Sequence, residues 1–203
     1  MSSARNEPDT GFVAGLTTAP TYNIIHSMIF YKVLLAIGPD KPGIVSRVSS
    51  FLTERGCNIE DSKMSILGED FTLALLFSGA LPSIEKVKAE LKDLESAAGL
   101  ATLLKDTKAP PARPKEDSVH YTVEVFGMDH QGIVNEVTEI LHKNKINVES
   151  LETAVENAPV SGSPVFKMHI KIAVPAAVYI NRLKEEFLEL EKKQNLNITL
   201  KNA

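Results

Sequence analysis

One cysteine, Cys57, in 203 residues excludes an intrachain disulfide and a cysteine-rich metal site. Tryptophan is absent and aromatic residues make up 6%, so the chain offers no stacking platform for single-stranded nucleic acid. Basic residues are not in excess. Against 26 Asp and Glu stand 22 Lys and Arg, and the formal charge of −4 cannot neutralise a phosphate backbone. Direct nucleic-acid binding is therefore not expected. No apolar run nears the roughly 18 residues of a membrane span, and no membrane partner is expected. Residues 1–27 carry Glu7 and Asp9, with Arg5 as their one Lys or Arg, which suits neither a secretory signal nor a transit peptide. The expectation is a loosely held arm over 1–29 on a cytoplasmic protein. No Walker loop or dinucleotide fingerprint occurs, so no cofactor is expected. What is present is globular in balance: 43% hydrophobic and 24% charged.

The chain contains an internal repeat. Gly38-Pro-Asp-Lys-Pro-Gly-Ile-Val45 recurs 89 residues on as Gly127-Met-Asp-His-Gln-Gly-Ile-Val134. The register continues: Val48, Phe51 and Leu52 answer Val137, Ile140 and Leu141, and Asn58-Ile59-Glu60 answers Asn147-Val148-Glu149. Phe71 then answers Phe166 at an offset of 95, so six extra residues fall around 157–164, where Asn, Ser, Gly and Pro mark a longer turn. Between the copies lies 106–118, with Ala109-Pro-Pro-Ala-Arg-Pro114, a stiff, exposed connector. Lys105, Lys108, Arg113 and Lys115 there are offset by Asp106, Glu116 and Asp117, a solvated face rather than a nucleic-acid patch. The expected organisation is an arm over 1–29, a first domain over 30–105, the linker over 106–118 and a second domain over 119–203.

Within one copy, 31–37 reads as a strand bounded by Gly38-Pro39. Ile44, Val48, Phe51 and Leu52 have helical spacing, and Gly56 ends that helix. Residues 59–67 and 71–77 read as strands joined at Gly68-Glu-Asp70. Ile84, Val87, Leu91, Leu94 and Ala98 form a second helical stripe, and 100–104 a last strand. In the second copy Leu183, Phe187 and Leu190 mark the second helix. The order βαββαβ, twice, predicts an α+β chain of two ferredoxin-like domains, each an antiparallel sheet with two helices on one face. The other faces differ. Phe166, Met168, Ile170 and Ile172 alternate with Lys167, His169 and Lys171, which gives a strand with one wet face. Residues 71–77 and 31–37 are apolar on both faces, and Leu35 stands where the second copy has Glu124. The first sheet's open face is thus expected to be covered by the arm or by another chain, as in a homodimer.

Asp-x-Pro-Gly-Ile-Val after strand one and Gly-x-Asn-Ile entering strand two, in this order and duplicated over 30–203, resemble the ACT domain. The resemblance implies a small-molecule-sensing regulatory module, often for amino acids. In the first copy it is carried further by Asp40-Lys-Pro-Gly-Ile-Val45, Gly56-Cys-Asn-Ile-Glu-Asp-Ser62, Leu67-Gly-Glu-Asp-Phe-Thr72 and the Ala/Pro/Arg linker. These imply a sensor of an amino acid such as glycine that acts through a protein partner in the control of glycine cleavage. The second copy departs: His130-Gln131 replaces Lys41-Pro42, and Lys145 replaces Gly56.

Amide N–H groups at a helix start suit a carboxylate, and Asp40 suits an ammonium group, so the loop complements a zwitterion. Gly43 lets a backbone be approached closely. Asp40 is equally placed to cap its own helix. The ligand set expected is Asp40, Pro42, Gly43, Ile44 and Asn58, with Asp129, Gly132, Ile133 and Asn147 in the second copy. Asn58 and Asn147 contact ligand across a domain interface or bond locally to backbone. Cys57, answered by Ile146, reads as a small buried hydrophobe, and no catalytic residue is expected. His26, His120, His130, His142 and His169 form no close ligand pair, so no metal site is expected; His130 lies in the second loop. A small enzyme or enzyme subunit, and a scaffold that only dimerises, remain the alternatives to a non-catalytic regulator.

Overall fold

The structure, a computed structural model, describes residues 28–110, 118–159 and 161–202. The expected arm lies outside the described residues apart from its last two positions, and so does most of the proline-containing window. The chain divides into two compact units that part between Pro110 and Pro111.

The first unit runs β1 (Ile29–Pro39), α1 (Ile44–Glu54), β2 (Asn58–Leu67), β3 (Asp70–Ala80), α2 (Leu81–Ala98) and β4 (Ala101–Thr107). The second repeats it as β5 (Ser118–Met128), α3 (Ile133–Lys143), β6 (Asn147–Asn157), β7 (Pro164–Pro175), α4 (Ile180–Gln194) and β8 (Leu196–Asn202). Each sheet is antiparallel, with the orders β2-β3-β1-β4 and β6-β7-β5-β8. These are two ferredoxin-like domains in an α+β chain. The strands run further than the apolar stretches that announce them, because the sheet bonds backbone and takes up polar ends. Asp106 and Thr107 belong to β4 and Ser118 to β5.

Local chemistry explains the element ends. α1 buries Ile44, Val48, Phe51 and Leu52 on one stripe. It closes through Gly56 at φ 73°, with Cys57 N–H donating to the Leu52 carbonyl at 3.0 Å. α2 starts with proline in its first turn and ends at Gly99, φ 71°, whose N–H donates to Glu95 O at 2.8 Å. The second unit makes the same left-handed turns without glycine, at Lys145 (φ 57°) and Asn195 (φ 53°). Asparagine tolerates that region, whereas lysine is strained there.

Phe77, Leu34, Leu52 and Ile84 centre the first core, and Ile170, Ile172, Leu183 and Val123 the second. On the first sheet's opposite face lie Tyr31, Val33, Leu35 and Ile37 of β1, Leu103 of β4, and Thr72, Ala74, Leu76 and Ser78 of β3. Leu35, Ile37 and Leu103 remain 42%, 49% and 59% exposed, so the expected cover is not supplied by the described residues. The second sheet's opposite face carries Glu124, Lys167, His169, Lys171 and Lys201, paired in part as Lys167–Glu156 and Lys201–Glu124, both at 2.6 Å.

Candidate functional site

β1 ends by presenting Asp40, whose N–H donates to Glu69 O at 3.1 Å and ties the loop to the β2–β3 hairpin. Gly43 is itself the N-cap of α1, at φ 89° and ψ 0°, and no side chain caps the helix. Asp40 therefore does not cap α1, the alternative role that the sequence left open for it. A left-handed Gly43 turns the chain into the helix by itself, and among the described residues the Asp40 carboxylate has no hydrogen bond or ion pair. Gly43 O accepts from Arg47 N–H at 2.9 Å, and Lys41 O from Ile44 N–H at 3.4 Å. The amides of Val45 and Ser46, in the first turn, have no acceptor within the helix. An added Cβ on Gly43 would meet nothing within 4 Å, so this face opens outward. Asp40, Pro42 and Gly43 are exposed. Ile44, named with them from the sequence, is buried in the core, and so is its counterpart Ile133. Both anchor their helices and leave backbone alone for a ligand.

The second loop has the same backbone and a different charge. Gly132 caps α3 at φ 96°, and Asp129 N–H donates to Pro164 O at 3.1 Å. Where α1 carries Arg47, α3 carries Glu136 in its first turn. Glu136 accepts from Lys193 Nζ at 2.8 Å and Gln194 Nε2 at 2.9 Å. The Lys193 ammonium holds its carboxyl below the usual range. His130 turns Nδ1 to Gln131 O at 3.1 Å, and its Nε2 is buried without a partner. The positive end of α3 therefore already has a carboxylate of its own chain in its first turn, whereas that of α1 has none.

Asn58 and Asn147 do not join these loops within a unit. Asn58 is opposite Ser78, whereas the loop sits at the Leu67–Asp70 end of the same ladder, eight residues or about 27 Å away. Asn147, opposite Ala173, is likewise at the far end from Pro164. Asn58 Nδ2 donates to Glu60 Oε1 at 3.1 Å, a local bond to a side chain rather than to backbone. Glu60 also accepts from Ser78 Oγ, which lowers its pKa. Sequence reasoning grouped residues from both ends of each sheet. It passed over Arg47 and Glu136, whose opposite charges at matched repeat positions were the available signal.

Cys57 is buried, and desolvation pushes its thiol up, away from the thiolate a nucleophile needs. Among the described residues no group of three His, Cys, Asp or Glu is placed to hold a metal, and no helix is long and apolar enough to cross a membrane. A cleft of about 340 Å³ between α4 and β8 is lined by Phe187, Leu188, Ile198 and Leu200 together with Lys184, Glu191 and Thr199. Its Glu191 is engaged by the Ile198 N–H.

Residues 32–105 match the family model of the ACT domain. The glycine cleavage system transcriptional repressor of Escherichia coli is 29% identical over 174 residues, which span 83% of this chain and 90% of that protein. A UPF0237 protein of Clostridium acetobutylicum is 37% identical over 76 residues, 36% of this chain and 85% of its own. Among solved structures, an unknown protein from Galdieria sulphuraria aligns with a TM-score of 0.74 at 28% identity, covering 87% of this chain and 99% of that one.

Proposed function

Because residues 32–105 match the ACT-domain model and the second unit repeats the same element order, we propose that the chain is a non-catalytic regulator that senses a small amino acid at the Asp40–Gly43 loop. Its proposed organisation keeps the expected arm, sensing domain, linker and second domain over 1–29, 30–105, 106–118 and 119–203, with Ile29, Asp106, Thr107 and Ser118 drawn into the adjoining strands. The observation that carries this reading is the uncapped start of α1 beside an uncommitted Asp40. The helix amides and Arg47 suit the ligand's carboxylate, and Asp40 suits its ammonium group. Asp129 and Gly132 repeat the geometry with Glu136 in the first turn of α3, which opposes a second carboxylate. The first loop is therefore the principal site. Asn58 and Asn147 act only where another domain brings them to a loop. Glycine is the first candidate, because the repressor similar to this chain is named for glycine cleavage. The output is a changed association with a protein partner in the cytoplasm, and the acidic chain acts without touching nucleic acid.

A thermal-shift screen of the common amino acids tests the reading. A ligand at 100 times its Kd stabilises by about 2.7 kcal/mol. Calorimetry on Asp40→Asn, which keeps the shape and removes the charge, is expected to show affinity down about tenfold, or 1.4 kcal/mol. No shift with any amino acid at millimolar concentration, or equal binding by the variant, would refute it.

A further inference from the structure

The first sheet's open face is built to meet itself, and we propose that it is the dimer interface between two copies of this chain. The ladder sets the face out in rows. One row reads Asp61, Leu76, Val33, Lys105 across β2, β3, β1 and β4. The next reads Lys63, Ala74, Leu35, Leu103, and the one beyond it Ser65, Thr72, Ile37, Ala101. Before the first stands Ser78, Tyr31, Thr107 across β3, β1 and β4. The middle of the face is apolar. Asp61, Lys63 and Lys105 sit on the two edge strands and form no ion pair among the described residues; towards the ends of the face lie Asp70, in the row Leu67, Asp70, Pro39, and Glu60, whose carboxylate accepts from Ser78 Oγ.

These rows are complementary under one operation. A two-fold axis parallel to the strands, midway between β1 and β3, lays β1 over the partner's β3 and β2 over the partner's β4. Large residues then face small ones: Leu35 over Ala74, Ile37 over Thr72, Tyr31 over Ser78, with Val33 over Leu76. Asp61 lies over Lys105 and Lys105 over Asp61, one pair at each rim, as an isologous contact requires, while Lys63 lies over Leu103 with its ammonium group at the solvent edge. An axis perpendicular to the strands would put β1 on β1, large on large, and leave Lys105 without an acid. Packed sheets lie about 10 Å apart at about 30°. At the rim, about 7 Å from the axis, that angle displaces partners by about 4 Å, within reach of a lysine. The second sheet offers no such face, since its charges are spread over the middle strands and several pair within their own sheet. A second copy of the first sheet is therefore the occupant that fits. The inference is independent of the amino-acid site.

Sedimentation of the full chain across a wide concentration range tests it. The wild type is expected to be dimeric, and Leu35→Glu monomeric with an unchanged circular dichroism spectrum. That variant places at β1 the residue that β5 already carries as Glu124. Asp61→Lys and Lys105→Asp each put like charges together at both rims and are expected to weaken the dimer about tenfold; the double variant restores it. Within one chain the two residues are three strands apart, about 14 Å, so restoration reports a contact between chains. A wild type that stays monomeric at high concentration overturns the proposal. So does a Leu35→Glu protein that still dimerises, or a double variant no better than its parents.

Discussion

Replacing Gly43 with alanine separates the backbone's part in the loop from the ligand's. At φ 89° and ψ 0° the residue sits in the left-handed region, where an L side chain costs roughly 1–2 kcal/mol. Alanine also narrows the unfolded ensemble, which offsets about 0.4–1 kcal/mol. The net destabilisation is about 1 kcal/mol, since the new Cβ meets nothing within 4 Å and adds no clash. For a domain of this size that lowers Tm by roughly 4–8 °C. Gly132→Ala is the matched control, with φ 96° and equally open space, and is expected to cost the same. Gly43→Asn is expected to cost less than alanine, because asparagine tolerates this conformation. Thermal unfolding of the three variants gives the stabilities, and calorimetry with the ligand found by screening gives the affinities. A loss of affinity in Gly43→Ala, measured well below its Tm, then reports a ligand packed against the backbone. A Gly43→Ala protein as stable as wild type, or an asparagine variant no better than alanine, would refute the reasoning about strain.

Two further outcomes are expected. The Glu136 carboxyl is held low by Lys193, so its contribution to stability is complete above the ordinary carboxylate pKa, about 4.3, and is lost as pH falls through the lowered value; the stability gap between wild type and Glu136→Gln in denaturant should close on acidification, and a gap constant from neutral to acid pH would show that the charge is irrelevant. Brief proteolysis should cut between β4 and β5, within 108–117, and leave two resistant fragments; first cuts inside a sheet or helix would argue against a connector there.

The fold was legible because the repeat prints each element twice. Gly38 to Val45 and Gly127 to Val134 mark the same strand-to-helix turn, and turn residues and helical spacing recover the rest. The two-sided apolarity of 31–37 also survives into the structure as the open face around Leu35. The site was less legible, for physical reasons. Motif order places Asn58 soon after the loop, but α1 carries the chain back along the sheet before β2 begins, so neighbours in sequence become opposite ends of a ladder. Asp40 looked like a cap because caps are usually side chains, whereas here a glycine takes the position through its dihedral angles. Ile44 stood inside the motif, yet helix periodicity turns it to the core. The pairing of Glu136 with Lys193 joins α3 to the end of α4 and leaves no local pattern to read.

The outer strands β4 and β8 share a detail that bears on assembly. Glu95 of α2 accepts the N–H of Thr102 at 3.2 Å, and Glu191 of α4 accepts that of Ile198 at 2.5 Å, the same device in each unit. Each glutamate lies where an added strand would have to bond. The other margin of each sheet, β2 or β6, carries no such plug among the described residues. A ribbon that can extend at one margin only stops growing after a single addition, whereas one open at both margins grows without limit. The Glu95 and Glu191 plugs thus close β4 and β8 to a further strand, so each ribbon can be extended only along its β2 or β6 margin.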